Sequence, residues 1–190
     1  HPDSPFSYRF KEILFGRHLR AVYRLGYNII ILNTDEKKWE TIMDKPVESH
    51  RIDIWWRGDA ASRLMLLLAY LMTRSEPWEE ATIRVLAINY ENDNRENLTH
   101  LTAVLDEVRI EAEPKIATAV DIDKIASISA DASLVILPFR LWKNRLVGPV
   151  DGQIDEHLSR LQTTALVMAA EDIDLDAEPV PGGDEEVANV

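Results

Sequence analysis

Five histidines, at positions 1, 18, 50, 100 and 157, are the first residues to test for chemistry. None stands in an HxxH or HExxH spacing, so no two can share a metal from one helix face. A metal centre would need ligands from distant parts of the chain, and solvated or locally bonded imidazoles are expected instead. Cysteine is absent. That removes thiolate nucleophiles, zinc–thiolate sites and disulfides together, and it fits a reducing compartment. A serine nucleophile needs a tight strand-to-helix elbow that presents its hydroxyl beside a base. The nearest approach, Gly58-Asp59-Ala60-Ala61-Ser62, has the wrong spacing and runs on into a helix. The carboxylate pairs Asp121/Asp123 and Asp151/Asp155 fall where helices start, and capping accounts for them without acid–base catalysis. No catalytic residue, cofactor or metal is expected.

The elements that would position any site follow from hydrophobic spacing. Tyr8 to Leu25 carries Phe10, Ile13, Leu14, Ala21 and Leu25 on one helical face and ends at Gly26. Tyr27–Leu32 is a short β-type run, and Asn33–Ser49 is a polar connection with one helical turn around Trp39. From Arg51 the pattern becomes regular. Strands are expected at Ile52–Trp56, Thr82–Ile88, Lys115–Val120, Leu134–Leu137 and Thr164–Ala169. Helices are expected at Ala60–Thr73, Glu96–Val108, Asp121–Ser129 and Ile154–Leu161, with a loop from Pro138 to Gly152. Asp59 suits an N-cap and Asp121 another.

This alternation predicts an α/β fold: a mostly parallel sheet of five or six strands with helices on both faces. Strands such as Ile83–Ile88 and Leu134–Leu137 are almost continuously apolar, as doubly covered parallel strands should be. Counted from Ile52, the expected strand order is 3-2-1-4-5, of the Rossmann or universal-stress-protein type, with Tyr27–Leu32 added at an edge. The expected organisation is an N-terminal connecting helix over 1–25, an α/β domain over 26–170 and an acidic, disordered tail over 171–190.

Folds of this type bind ligands at the carboxyl ends of their strands, at the point where strand order reverses. Neither a P-loop nor GxGxxG is present. Universal stress proteins instead place glycines after the fourth strand, so that backbone amides reach phosphates. Here those positions hold Pro138 and Leu141, the interval to Gly148 is too short, and Pro149 takes the hydroxyl position. Phosphate cradling by that loop is disfavoured. A crevice remains, bringing Arg57, Gly58 and Asp59 near Phe139 and Arg140. Its two arginines could hold an anion, or equally pair with Asp59 and surface acids.

Charge narrows the partners. The net charge is −12, but eight acids and no base lie between Glu171 and Val190, and leaving them out brings the charge to −4. Nucleic-acid affinity rests on clustered Lys and Arg, so a nucleic-acid partner is set aside. The first helix is the basic part, with Arg9, Lys11, Arg17, Arg20 and Arg24 against Glu12. It could make a weak contact with an anionic membrane surface, although a plain solvated face suits it better. The longest apolar run, Leu64–Met72, has nine residues, whereas a membrane span needs about 20. That helix is apolar all round, so it needs cover beyond the sheet: its own neighbours, another domain or a second copy. A chain opening on His1-Pro2 without Met is expected to be a piece of something longer.

Three stretches between Arg51 and Glu113 resemble the C-terminal cytoplasmic domain of the cation–chloride cotransporters, the Na–K–Cl and K–Cl carriers. They are Ile52-Asp53-Ile54-Trp55-Trp56 with Leu64–Leu71, then Trp78 with Ile83-Arg84-Val85, then Asp93-Asn94 with Val108–Glu113. The series covers about 60 residues in matching order and, more weakly, extends to Asp174. The family's glycine pair before the leucine-rich helix is replaced by Ala60-Ala61-Ser62-Arg63, which suggests a longer helix there. The resemblance implies a non-catalytic regulatory and dimerisation domain on the cytoplasmic side of an integral membrane protein. Its partners would be a transmembrane domain of the same polypeptide, preceding His1, and a second copy. A universal-stress-protein-like nucleotide-sensing module is the alternative.

Overall fold

A computed structural model describes residues 5–88, 94–118, 121–150, 154, 158, 161 and 163–171. Helix α1 spans Pro5–Arg24 and closes at Gly26, whose φ of 81° suits a residue without a side chain. Strand β1 (Ile29–Asn33) follows, then helix α2 (Glu36–Met43). The single turn expected around Trp39 is thus a full helix. Asp35 explains the difference: its carboxylate accepts from Lys38 N at 2.8 Å and caps the first turn.

The regular part runs β2 (Arg51–Trp56), α3 (Ala60–Met72), β3 (Thr82–Ile88), α4 (Asn94–Glu107), β4 (Glu113–Ala117), α5 (Ile122–Ile128) and β5 (Leu134–Pro138). Asp59 caps α3 and Asp121 caps α5 through their side chains, as expected. Strand β4 begins two residues earlier than the apolar run predicts. The expected loop after Pro138 instead holds a hairpin, β6 (Arg140–Trp142) and β7 (Arg145–Val147). Its two-residue turn is Lys143-Asn144 with φ of 47° and 64°, the positive pair that matches strand twist. Lys-Asn is a weak turn signal beside Asn-Gly, which is why the hairpin is not legible in the sequence. Strand β8 (Thr164–Met168) completes the sheet. Most of the helix expected over Ile154–Leu161 and the tail beyond residue 171 lie outside the described residues.

The six-stranded sheet has the order β1-β8-β5-β2-β3-β4. Strands β8, β5, β2, β3 and β4 run parallel, in the expected 3-2-1-4-5 order, and β1 adds antiparallel at the edge of β8. Alternation along β2 sends Ile52, Ile54 and Trp56 to one face and Trp55 to the other. On the first face they pack with Leu64, Met65 and Ala69 of α3 and Leu101 and Leu105 of α4. On the second, Trp55 lies with Ile122 and Ile125 of α5, Leu137 and Leu146, and α1 contributes Leu19. Both faces are covered, which is what apolar parallel strands require. On α3, Leu64, Met65, Leu66 and Ala69 are buried while Leu71 is 53% exposed, so the sheet and neighbouring elements cover most of this helix.

Candidate functional site

The order reverses between β2 and β5, and the chain leaves both strands at the same end of the sheet. After β2 it turns through Arg57 and Gly58, the latter at φ 80°, into α3. Ser62 fixes this turn. Its buried hydroxyl accepts from Arg57 N (2.9 Å) and Gly58 N (3.1 Å) and donates to Asp59 Oδ1 (2.9 Å), which also takes Ser62 N. The hydroxyl is committed to holding the loop: its hydrogen goes to the N-cap carboxylate and its lone pairs take two backbone amides. After β5, Phe139 is buried and Arg140 starts the hairpin.

A cleft of about 520 Å³ opens at this end. Of the five residues expected at the crevice, Asp59, Phe139 and Arg140 line it together. Arg57 and Gly58 stay on the exposed loop and do not reach the wall. Arg20, Tyr23 and Arg24 of α1 also line it and were not foreseen, beside Ala60, Ala61, Leu141, Met168 and Ala169. No local signal places this helix, distant in sequence from Asp59 and Arg140, over this spot. The basic character of α1 was the available clue. Among the described residues, three arginines and one carboxylate line this wall, and Arg20 Nε is buried without a hydrogen-bond partner. The wall is suited to an anion. The hairpin occupies the stretch in which a glycine phosphate loop would run.

Two other groups carry charge into the interior. Asp53, in the middle of β2, is fully buried, and Arg84 of β3 grips it with both prongs, Nε to Oδ1 at 2.9 Å and Nη2 to Oδ2. Arg51 Nε adds a bond at 3.2 Å, and Arg84 also donates to Ile128 O at 3.0 Å. This network ties the end of α5 to the sheet, beside Trp55 Nε1 donating to Ser129 Oγ (3.1 Å). His50, just before β2, is locally bonded as expected, with Nδ1 3.2 Å from Ser133 Oγ and its ring 4.9 Å from that of Trp78. Burial, then the charge of Lys45, push its pKa below 6.5.

Among the described residues, no group of three or more His, Asp and Glu could hold a metal ion, and no helix is long and apolar enough to cross a membrane. Fold and site together define a doubly wound α/β domain with a basic cleft at its switch point. The sequence model of solute carrier family 12 matches residues 32–137, more than half of the chain. The chain belongs to that family, the cation–chloride cotransporters, which are transporters rather than enzymes. Compared directly with curated proteins, it matches none.

Proposed function

We propose that the chain is a non-catalytic regulatory and dimerisation domain on the cytoplasmic side of a cation–chloride cotransporter. The observation that carries this reading is the family match, which spans the sheet from the end of β1 through β5. In this reading α1 connects the domain, residues 26–170, to a transmembrane part, with residues 171–190 as an acidic tail. The basic cleft takes an anionic regulatory ligand or a neighbouring acidic segment, and the exposed arginine side of α1 makes a weak contact with anionic lipid.

Flux measurement in cells on the full-length transporter tests the assignment. Replacing Arg24 and Arg140 by Glu is expected to change chloride flux severalfold at unchanged surface abundance. Unchanged flux would remove the cleft from regulation. Light scattering on the purified chain is expected to give twice the monomer mass. The upstream coding sequence is expected to hold hydrophobic spans of about 20 residues, and a gene without them would overturn the assignment. Calorimetry with ATP addresses the nucleotide-sensing alternative, which micromolar binding would favour.

A further inference from the structure

The opposite end of the sheet carries a second basic site that neither family membership nor the cleft accounts for. Helix α2 lies over the amino-terminal ends of β5 and β8 and leaves a cavity of about 170 Å³ there. Lys37, Lys38 and Lys45 line it from the α2 side, Ser133 and Thr163 from the strand side, and no acid among the described residues lines it. Three lysines and no carboxylate among the described residues line this cavity, in a chain of net charge −12. Lys38 is anchored by donating to Leu161 O at 3.2 Å. Lys37 and Lys45 have no ion-pair partner among the described residues.

The hydroxyls add direction. Ser133 and Thr163 are almost fully buried, at 2% and 1% exposed, yet both line the cavity. Thr163 Oγ1 shares a hydrogen bond with Thr34 Oγ1 at 3.0 Å. Ser133 Oγ meets His50 Nδ1, while His50 Nε2 is buried with no partner. A buried N–H left unpaired is rarer, and costs more, than a bare acceptor. The proton of neutral His50 therefore belongs on Nδ1, donating to Ser133 Oγ, and this leaves the serine hydroxyl hydrogen free for the cavity. At about 170 Å³ the cavity has room for a tetrahedral oxyanion.

We propose that the cavity between α2 and the ends of β5 and β8 is a phosphate-type oxyanion site, held by Lys37, Lys45 and the Ser133 hydroxyl. The anion is either free phosphate or the phosphoryl group of a lipid headgroup. The proposal does not depend on the transporter assignment.

Calorimetry of the 190-residue chain with sodium phosphate, against sodium chloride at equal ionic strength, tests the free source. Sedimentation with phosphatidylcholine vesicles, with and without phosphatidylinositol phosphate, tests the lipid source. Binding in either arm beyond its control, weakened about tenfold or more in Lys37→Ala/Lys45→Ala, is the expected result. The binding arm then names the source. The His50 ring resonances should shift with phosphate or soluble inositol phosphate, since Ser133 links the ring to the site. Lys37→Ala alone, at an exposed position, guards against a fold defect in the double variant. No binding beyond chloride and plain vesicles, or binding that survives the double variant, overturns the proposal.

Discussion

Asp53 is a carboxylate with no access to water, supported by two parallel bonds from Arg84 and a third from Arg51. Removing Asp53 leaves the largely buried Arg84 guanidinium without its carboxylate. Asp53→Ala is expected to cost about 3–5 kcal/mol in urea unfolding, whereas an apolar pair of similar volume at 53 and 84 should be nearly neutral. The sequence shows Asp53 inside an otherwise apolar strand, but it cannot say that residue 84, 31 positions on, lies opposite; the parallel register does that. His50 gives a pH signature. Its folded pKa is lowered, so just below pH 6.5 the unfolded chain binds more protons than the folded one. Stability therefore rises with pH through the window below 6.5 and levels off above it. Unfolding measured from about pH 5 to 7.5 should show that slope, and His50→Gln should remove the histidine's share. An identical slope in the variant would assign it to carboxylates instead.

At the scale of elements, the contact between α1 and the β6–β7 hairpin depends on one position. Gly16 is buried, and a Cβ there would lie 1.8 Å from Asn144 O, a backbone atom that cannot swing aside. Glycine costs a helix interior about 1 kcal/mol relative to alanine, so close approach is the reason to keep it here. Gly16→Ala is expected to raise the intrinsic helicity of α1 while undocking it, seen as faster trypsin cleavage at Arg17 and Arg20. The β2–α3 turn makes a parallel case. Ser62→Ala strands two amide hydrogens at a cost of about 1–3 kcal/mol, and amide exchange at Arg57 and Gly58 should accelerate. Helices and parallel strands were legible because their periodicities are local. The hairpin was not, since its turn is specified by backbone twist rather than by a glycine. Nor was the placement of α1, which Gly16 determines through a residue 128 positions away.

At the scale of the molecule, the same strands floor two cores, so neither core can open while the other stays packed. Ile54→Ala on one face and Leu137→Ala on the other should each cost about 2–5 kcal/mol. Both are expected to lower one shared thermal transition, seen alike in near- and far-UV circular dichroism. Two separate transitions would show that the faces are independent. Strand order was anticipated by analogy with the Rossmann type, once the β–α alternation and the doubly apolar strands pointed to a covered parallel sheet. The cleft was readable in part: strand order brought Asp59 to Phe139 and Arg140, but the basic wall from α1 was not foreseen. Of the five tryptophans, Trp55, Trp56 and Trp78 are buried, Trp39 is 39% exposed, and Trp142 is 65% exposed on the hairpin, two residues from the Gly16 contact. The chain thus carries its own fluorophore at the α1 junction. In a Trp39→Phe background, iodide quenching of its emission would follow the helix on and off the hairpin without any attached dye.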